Sequence, residues 1–179
     1  MRIISGKYKG KRLTAPKKLP VRPTTDMAKE ALFNILNNRF YFDELNVLDL
    51  FSGTGNISYE FASRGCKKIT AVDGHQGCVR YIARTTQELD FSIATLKSDV
   101  YKFLQATPEK FNLIFADPPY DFDKGQFLKI ADLVFDKGLL LEDGLLIIEH
   151  SEQTTLSEHH KFTEQRKYGG SIFSFFEAQ

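Results

Sequence analysis

The chain has 179 residues, 42% of them hydrophobic and 26% charged, which suits one globular domain with a substantial core over residues 1–179. No apolar stretch approaches the length of a membrane span, and the N-terminus lacks the apolar core of a signal peptide. We therefore expect a cytoplasmic protein without membrane contact. Cys66, Cys78 and four scattered histidines form no ligand pattern, so neither a disulfide nor a metal site is predicted.

The net charge of +1 hides an asymmetry along the chain. Residues 1–22 carry eight Lys or Arg and no acid, and the remaining residues carry 16 basic side chains against 23 acidic ones. A basic arm on an acidic body predicts a polyanionic partner that is met locally. Apolar residues and turn-forming glycines alternate with these cations, which favours a small ordered hairpin over a disordered tail, at Ile3, Ile4, Gly6, Tyr8, Gly10 and Leu13.

The elements that follow alternate between helix and strand. An amphipathic helix is predicted over residues 25–38, with its apolar residues on one face. From residue 46 to the C-terminus, buried strands alternate with helices, which predicts a parallel α/β sheet covered on both faces. The predicted strands cover 47–51, 69–73, 93–98, 112–116 and 145–149, and the helices 57–64, 76–89, 100–105 and 124–135. Two last strands, 162–168 and 171–176, flank Gly169-Gly170, and the final one is expected to be antiparallel.

Four successive strands are predicted to end in an aspartate. The carboxyl ends of parallel strands share one rim of the sheet, and ligands bind there at the topological switch point. A single acid in such a place is typical of a helix N-cap or a loop. Four of them on one rim predict a binding site, and they are Asp49, Asp73, Asp99 and Asp117.

The loop after the first strand indicates which cofactor this rim would bind. Gly53 and Gly55 allow a sharp turn and a close approach of the backbone to a ligand. The dinucleotide fingerprint needs a third glycine where Ser58 stands, which disfavours a dehydrogenase. Asp49 would repel a pyrophosphate and attract an ammonium or sulfonium group. The pattern therefore favours S-adenosylmethionine (SAM) over NAD.

Two further acids would complete a SAM site. Asp73, at the end of the second strand, is placed to accept hydrogen bonds from two ribose hydroxyls. Asp99, after the third strand, could accept a hydrogen bond from the exocyclic amino group of adenine.

Asp117-Pro118-Pro119-Tyr120 follows the fourth strand and predicts the reacting centre. The two prolines fix φ and donate no hydrogen bond, so neither strand nor helix continues there. A carboxylate, the free Pro118 carbonyl and the Tyr120 ring are presented on a stiff loop. Two acceptors and a stacking face suit a flat aromatic amine. An ordinary strand-ending turn is the alternative for this motif taken alone.

Taken together, these motifs resemble a known family. Residues 49–55, Asp-Leu-Phe-Ser-Gly-Thr-Gly, with Asp-Pro-Pro-Tyr at 117–120 resemble a Rossmann-like SAM-dependent methyltransferase that acts on an exocyclic amino nitrogen. Further segments resemble the RsmD family along essentially the whole chain, at 2–10, 22–26, 30–36, 149–150 and 166–169. The resemblance implies methylation of a guanine N2 in bacterial small-subunit ribosomal RNA. It also implies a Rossmann-like fold with a mostly parallel sheet of seven strands and an antiparallel last strand.

The chain departs from the family pattern in two places. Residues 56–59 are Asn-Ile-Ser-Tyr where many members have smaller residues and another glycine, and Asp73 stands where Glu is common. Neither difference argues against SAM as the cofactor.

The resemblance and the residue chemistry together give an expected site. The residues expected to act on the substrate base are Asp117, Pro118 and Tyr120. Those expected to bind SAM are Asp49, Phe51, Gly53, Gly55, Asp73 and Asp99, together with Arg22 and Thr24 from a segment that the family uses as a lid. A simple helix-entry turn is the alternative for that segment. Those expected to contact RNA are Lys7, Lys9, Lys11, Arg12 and Pro119. The expected partner is ribosomal RNA or the small ribosomal subunit, and the chain is expected to be a monomer.

Two other functions remain open at this point. Asp-Pro-Pro-Tyr also serves adenine N6, so an adenine-N6 methyltransferase acting on DNA or RNA is the first. No DNA-recognition domain is added in 179 residues, which argues against it. A non-catalytic RNA-binding protein with a methyltransferase fold is the second, and the intact motif residues argue against that.

Overall fold

Strands and helices alternate along residues 1–178, the part of the chain that the computed structural model describes. Gln179, included in the predicted domain, lies outside it. The helices are α1 (Asp26–Asn37), α2 (Asn56–Ser63), α3 (Gln76–Glu88), α4 (Val100–Ala106) and α5 (Lys124–Asp136). The strands are β1 (Asn46–Leu50), β2 (Lys68–Asp73), β3 (Ile93–Lys97), β4 (Phe111–Ala116), β5 (Leu140–His150), β6 (Phe162–Tyr168) and β7 (Ser171–Glu177).

The strands form one seven-stranded sheet in the order β3-β2-β1-β4-β5-β7-β6. The first five strands are parallel, and β7 pairs antiparallel with both β5 and β6. A mostly parallel sheet of seven strands with an antiparallel last strand is the predicted arrangement, so the predicted fold class is confirmed. The strand order reverses between β1 and β4, which places the switch point beside the loops after these two strands.

The two faces of the sheet take alternate residues of each strand. In β1, Val47 belongs to the core beneath α1, α2 and α3, whereas Leu48 and Leu50 belong to the core beneath α4 and α5. Each buried side chain of this size stabilises the fold by roughly 1.5–3 kcal/mol relative to its exposed state. Because both faces are covered, the apolar runs of the central strands are nearly continuous, as the sequence shows for β1 and β4.

Element boundaries agree with the predicted ones except at β5. The strand begins at Leu140 rather than at residue 145. Its first part carries exposed polar residues, Asp143 has a φ of 60°, and the pairing register with β4 shifts between Phe111 and Leu113. The apolar pattern that predicts strands was therefore absent there. A short 3-10 helix at Phe42–Glu44 was not predicted either.

The basic arm forms the predicted hairpin, although with little regular strand. Arg2 and Arg12 form one antiparallel bridge, and the Ile3 N–H donates to the Lys11 carbonyl at 2.9 Å. The hairpin lies along α2, whose Glu60 carboxylate accepts hydrogen bonds from the Ile4 and Ser5 N–H groups. Its turn is fixed at the far end of α2, where a Cβ on Gly6 would lie 1.8 Å from the Ser63 carbonyl oxygen.

A buried lysine joins this hairpin to the helices. Lys29 of α1 is 1% exposed, and its ammonium donates to the Arg2 carbonyl at 2.5 Å and to the Asn56 side-chain oxygen at 2.8 Å. The Glu60 carboxylate lies 3.8 Å away. Burial lowers the pKa of Lys29, and the charge of Glu60 opposes that shift. The hairpin is thus attached through charged groups in the interior.

Candidate active site

A cavity of about 720 Å³ opens at the carboxyl ends of β1, β2, β3 and β4. Its wall contains all four aspartates that end strands in the sequence, Asp49, Asp73, Asp99 and Asp117. The prediction that these acids share one rim is therefore confirmed as geometry. The opposite wall is residues 19–24, which we call the covering segment.

Asp49 lies inside the end of β1 and is 1% exposed. The Ser58 hydroxyl of α2 donates to its carboxylate at 2.6 Å. Burial raises the pKa of Asp49 to about 7, and the charge of Asp73 adds to the shift while the Ser58 hydrogen bonds oppose it. A neighbouring cation stabilises the ionised form of a buried carboxylate, because it replaces the stabilisation that water would provide. Ser58, read in the sequence only as a missing glycine, orients this acid.

Asp73 shapes the glycine loop as well as facing the cavity. Its carboxylate accepts hydrogen bonds from the Gly53 N–H at 2.9 Å and the His75 N–H at 2.8 Å. Gly53 has a φ of 55°, and a Cβ there would lie 3.3 Å from the Val21 side chain of the covering segment. Glycine is therefore needed both for the conformation and for the close approach of the covering segment.

Gly55 has a different place from the predicted one. It is buried at the start of α2 with a φ of 88° and does not belong to the cavity wall. A Cβ there would lie 2.6 Å from the Tyr59 ring. Glycine is required at this position because α2 begins there against the Tyr59 ring, and not because the backbone contacts a ligand.

Two other predicted cofactor residues stand on the cavity wall. Asp99 is exposed, and it caps α4 by accepting a hydrogen bond from the Lys102 N–H at 3.0 Å. Phe51 has a φ of 55°, an uncommon conformation for a residue with a side chain, and its ring packs edge-on against Phe122. Such strain is typical of functional sites.

The covering segment is fixed by two buried hydrogen bonds at Thr24. The Thr24 hydroxyl donates to the Glu149 carboxylate at 2.6 Å, and the Asn56 side-chain amide donates to the Thr24 carbonyl at 3.0 Å. Arg22 is exposed on the same segment and lines the cavity. Thr24 thus holds the covering segment in place. Both residues predicted from this segment, Arg22 and Thr24, border the cavity.

The Asp-Pro-Pro-Tyr loop lies at the cavity mouth. Asp117 directly follows β4, Pro118 is buried, Pro119 is exposed, and Tyr120 is 67% exposed. Within residues 1–178, the Pro118 carbonyl accepts no hydrogen bond. All four residues of the motif therefore line the same cavity, and the motif includes a carboxylate, a carbonyl oxygen without a donor in the described part of the chain and an accessible ring.

The carboxylate of Asp117 sits among other acids. Its pKa is raised well above the ordinary value by burial first, then by the charge of Glu149, and then by that of Asp49. Glu149, near the end of β5, belongs to a segment that resembles the RsmD family, but no role was predicted for it from the sequence. The rule that found the four aspartates, an acid at the carboxyl end of a strand, would also have found Glu149.

The predicted RNA-contacting cations lie outside the cavity. Lys7, Lys9, Lys11 and Arg12 are exposed on the hairpin. The Lys7 N–H donates to the Ser63 carbonyl at 2.7 Å, at the end of α2 away from the cavity. The cations therefore run down the outer side of α2, whereas Pro119 stands at the cavity mouth.

The cavity chemistry fits a SAM-like ligand. Buried and half-buried acids suit a positively charged group and hydroxyl donors, and apolar wall residues such as Ile57 and Val100 suit a flat base. Within residues 1–178, no three His, Cys, Asp or Glu side chains are grouped so that they could hold a metal ion. No helix of that part is long and apolar enough to cross a bilayer. Cys66 and Cys78 are buried free thiols.

Comparison with known proteins shows which family the chain matches. The family described as "Conserved hypothetical protein 95" matches residues 1–177. The "Ribosomal RNA small subunit methyltransferase D" of Escherichia coli K12 is 30% identical over 164 residues, which cover 87% of this chain and 77% of that protein. The protein of the same name from Haemophilus influenzae is 28% identical over 181 residues, covering 98% and 91%.

A solved structure has the same overall arrangement. The hypothetical protein TTHA0928 of Thermus thermophilus superposes with a TM-score of 0.85 at 27% sequence identity, and the match covers 99% of each chain.

Proposed function

Because the chain belongs to the RsmD family of SAM-dependent methyltransferases, we propose that it transfers a methyl group from SAM to the N2 amino group of a guanine in bacterial small-subunit ribosomal RNA. The observation that carries the proposal is the cavity mouth, where Asp117, the free Pro118 carbonyl and the exposed Tyr120 ring stand beside the acidic rim. Small-subunit ribosomal RNA is the substrate named for two relatives. The guanine rests on the RsmD resemblance of the motifs.

The acidic rim would hold the cofactor. Asp49 would face the positively charged amino acid part, Asp73 the ribose hydroxyls and Asp99 the adenine amino group. When it is bound, SAM supplies an electrophilic methyl group on a sulfonium. The covering segment, fixed at Thr24, would keep the cavity closed on the side opposite the glycine loop. Gly55 contributes only by permitting the start of α2.

The Asp-Pro-Pro-Tyr loop would hold the amino group. The guanine nitrogen shares its lone pair with the ring and is a weak nucleophile. If the Asp117 carboxylate and the Pro118 carbonyl each accept one N–H, the lone pair is directed along the line of transfer, which is the proximity contribution. The same two oxygens stabilise the positive charge that develops on nitrogen, which is preorganised electrostatic stabilisation.

Tyr120 would bind the ring of the base. A base must leave its stack to reach the Asp117 carboxylate, and an exposed aromatic side chain at the mouth replaces part of the stacking lost. Base–aromatic stacking is worth roughly 1–3 kcal/mol. Pro119, exposed beside it, would bound the same surface.

The hairpin cations would bind the RNA backbone away from the reacting centre. Contacts with phosphate fix position and orientation but carry no information on sequence. Lys7, Lys9, Lys11 and Arg12 are exposed and lie outside the cavity, as such a role requires. We propose that the protein acts as a monomer in the cytoplasm, where its ribosomal substrate is made.

Transfer of labelled methyl from SAM tests the proposal. The substrates are free small-subunit ribosomal RNA, assembled small subunits and duplex DNA, and each product is digested to nucleosides. We expect the label in N2-methylguanosine from one of the two ribosomal substrates. Label in N6-methyladenosine would identify the adenine-N6 alternative. SAM binding by calorimetry without transfer to any substrate would contradict the enzyme assignment for these nucleic acids.

A further inference from the structure

Glu149 is a buried acid that the proposed methyl transfer does not yet use. It stands at the end of β5, next to β4, and Ile148 pairs with Ala116 just before Glu149 and Asp117. The Thr24 hydroxyl donates to one of its carboxylate oxygens at 2.6 Å, and the Ser171 hydroxyl donates to the other at 2.9 Å. Glu149 therefore joins the covering segment, β7 and the neighbourhood of Asp117, although it is not part of the cavity wall.

We propose that Glu149 is a positioning residue that makes Asp117 the acceptor of the proton released by the methylated amino group. The proposal rests on the proposed function and adds a proton path to it. Glu149 acts through Asp117 and touches neither cofactor nor base.

The hydrogen bonds decide which of the two acids keeps its charge. Burial raises the pKa of both carboxyl groups. The two hydroxyl donors at Glu149 favour its ionised form, and they oppose the effect of burial on its pKa. Within residues 1–178, the Asp117 carboxylate accepts no hydrogen bond that would do the same. When one proton is shared by the pair, it therefore resides mainly on Asp117.

The titratable groups that face Asp117 are both acids. Glu149 faces it from β5 and Asp49 from β1, and each raises its pKa by like-charge repulsion. A carboxylate with a raised pKa is a stronger proton acceptor than one in water. Asp117 must be ionised to accept the N–H groups, so activity is lost as the pH falls through its pKa. Removal of the Glu149 charge lowers that pKa and moves the loss to lower pH.

The proton balance of the transfer is complete with these residues. The nitrogen lone pair forms the new N–C bond, and the electron pair of the breaking C–S bond stays on sulfur, which becomes a neutral thioether. The nitrogen then carries one excess proton and a positive charge. That proton passes to the Asp117 carboxylate and leaves to solvent with the product, so no further reactant is needed.

The test compares Glu149→Gln with the parent protein by two readouts. The first is the titration midpoint of the Asp117 carboxyl carbon by NMR in the protein without substrate, assigned with Asp117→Asn. The second is the pH dependence of methyl transfer. We expect both the midpoint and the acid limb to move to lower pH by about one unit in Glu149→Gln. Glu88→Gln, which removes an exposed acid on α3, should move neither.

Two results would overturn the proposal. An Asp117 midpoint that stays in place in a folded Glu149→Gln protein would show that Glu149 does not act on it. A uniform loss of activity with an unmoved acid limb would leave Glu149 a structural role alone. If Glu149→Gln does not fold, Ser171→Ala replaces it: loss of one hydroxyl donor moves the shared proton toward Glu149 and must lower the Asp117 midpoint. Absence of transfer by the parent protein contradicts the proposed function and with it the proton path, and the NMR titration then decides only whether Glu149 acts on Asp117.

Discussion

The rim of the cavity and the hairpin along α2 differ in the sign and the burial of their charged side chains. The rim brings acids close together, and burial and like charge raise the pKa values of Asp49 and Asp117 there. The hairpin keeps its cations exposed and hides beneath them one lysine, Lys29, against Glu60. Burial at the rim prepares groups for a charged ligand, because their charge is costly until the ligand arrives. Exposure on the hairpin suits a polyanion held by many weak contacts.

If the rim carries the chemistry, truncation of its central acid must have the largest effect. We expect Asp117→Ala to lower the rate of methyl transfer by about 10³-fold or more, since loss of one preorganised group in such a site costs about 10²–10³-fold and Asp117 also carries charge. SAM affinity, measured by calorimetry, should change little. Asp121→Ala, in an exposed position of the same loop, is the matched control and should retain activity. Parent-like turnover in Asp117→Ala would refute the assignment.

If the buried Lys29 attaches the hairpin to the helices, its removal should lower the stability of the fold rather than the rate of methyl transfer. Lys29→Ala leaves Glu60 buried without its ammonium partner, and removal of one partner of a buried pair costs about 3–5 kcal/mol. We expect a loss of about 3 kcal/mol in urea unfolding, the low end of that range, since the Arg64 guanidinium at 3.6 Å and the Ile4 and Ser5 N–H groups still contact Glu60. Lys124→Ala breaks an exposed pair with Glu158 and should cost less than about 1 kcal/mol. Equal losses in the two variants would show that the buried pair is not what holds the hairpin.

The raised pKa of Asp49 gives the rim a pH dependence that the hairpin lacks. Asp49 must ionise to face a cationic ligand, so SAM affinity should rise about tenfold per pH unit up to about pH 7 and then level off. In the absence of ligand, pH affects the stability of the fold in the opposite direction. The pKa of Asp49 in the folded protein lies above its ordinary value of 3.8, so the protonated acid favours folding below pH 4. This contribution to stability is lost as the pH rises to about 7. Asp49→Asn should bind SAM weakly with a flat profile, whereas Asp43→Asn, at an exposed position, should keep the parent profile. A pH-independent affinity in the parent protein would contradict this role.

The smallest expected effect belongs to a single hairpin cation. Lys9→Gln should weaken RNA binding about threefold near 0.15 M salt and reduce the slope of log K against log[salt] by about 0.9. The loss should be the same for different RNA sequences. Lys137→Gln removes an exposed cation next to α5 on the other face of the sheet and should leave the slope unchanged. Equal slopes for Lys9→Gln and the parent would remove the hairpin from the RNA interface.

The sequence predicted the rim better than its surroundings, for physical reasons. Strand ends in a parallel sheet share one edge, so Asp49, Asp73, Asp99 and Asp117 could be placed together from periodicity alone. The partners of these acids come from distant segments, and the hydrogen bond from Thr24 to Glu149 spans 125 positions. Periodicity carries no information on such contacts. Gly55 shows the limit of such prediction. Its Gly-x-Gly pattern was recognised, but the residue packs against the Tyr59 ring and does not line the cavity.

The most direct measurement is a crystal structure of the protein with S-adenosylhomocysteine and an RNA fragment that carries the target guanine. We expect the guanine amino nitrogen at about 2.7–3.2 Å from both the Asp117 carboxylate and the Pro118 carbonyl oxygen, with the base ring against Tyr120. An amino group bound elsewhere, or Asp117 and Pro118 oxygens directed away from the base, would contradict it.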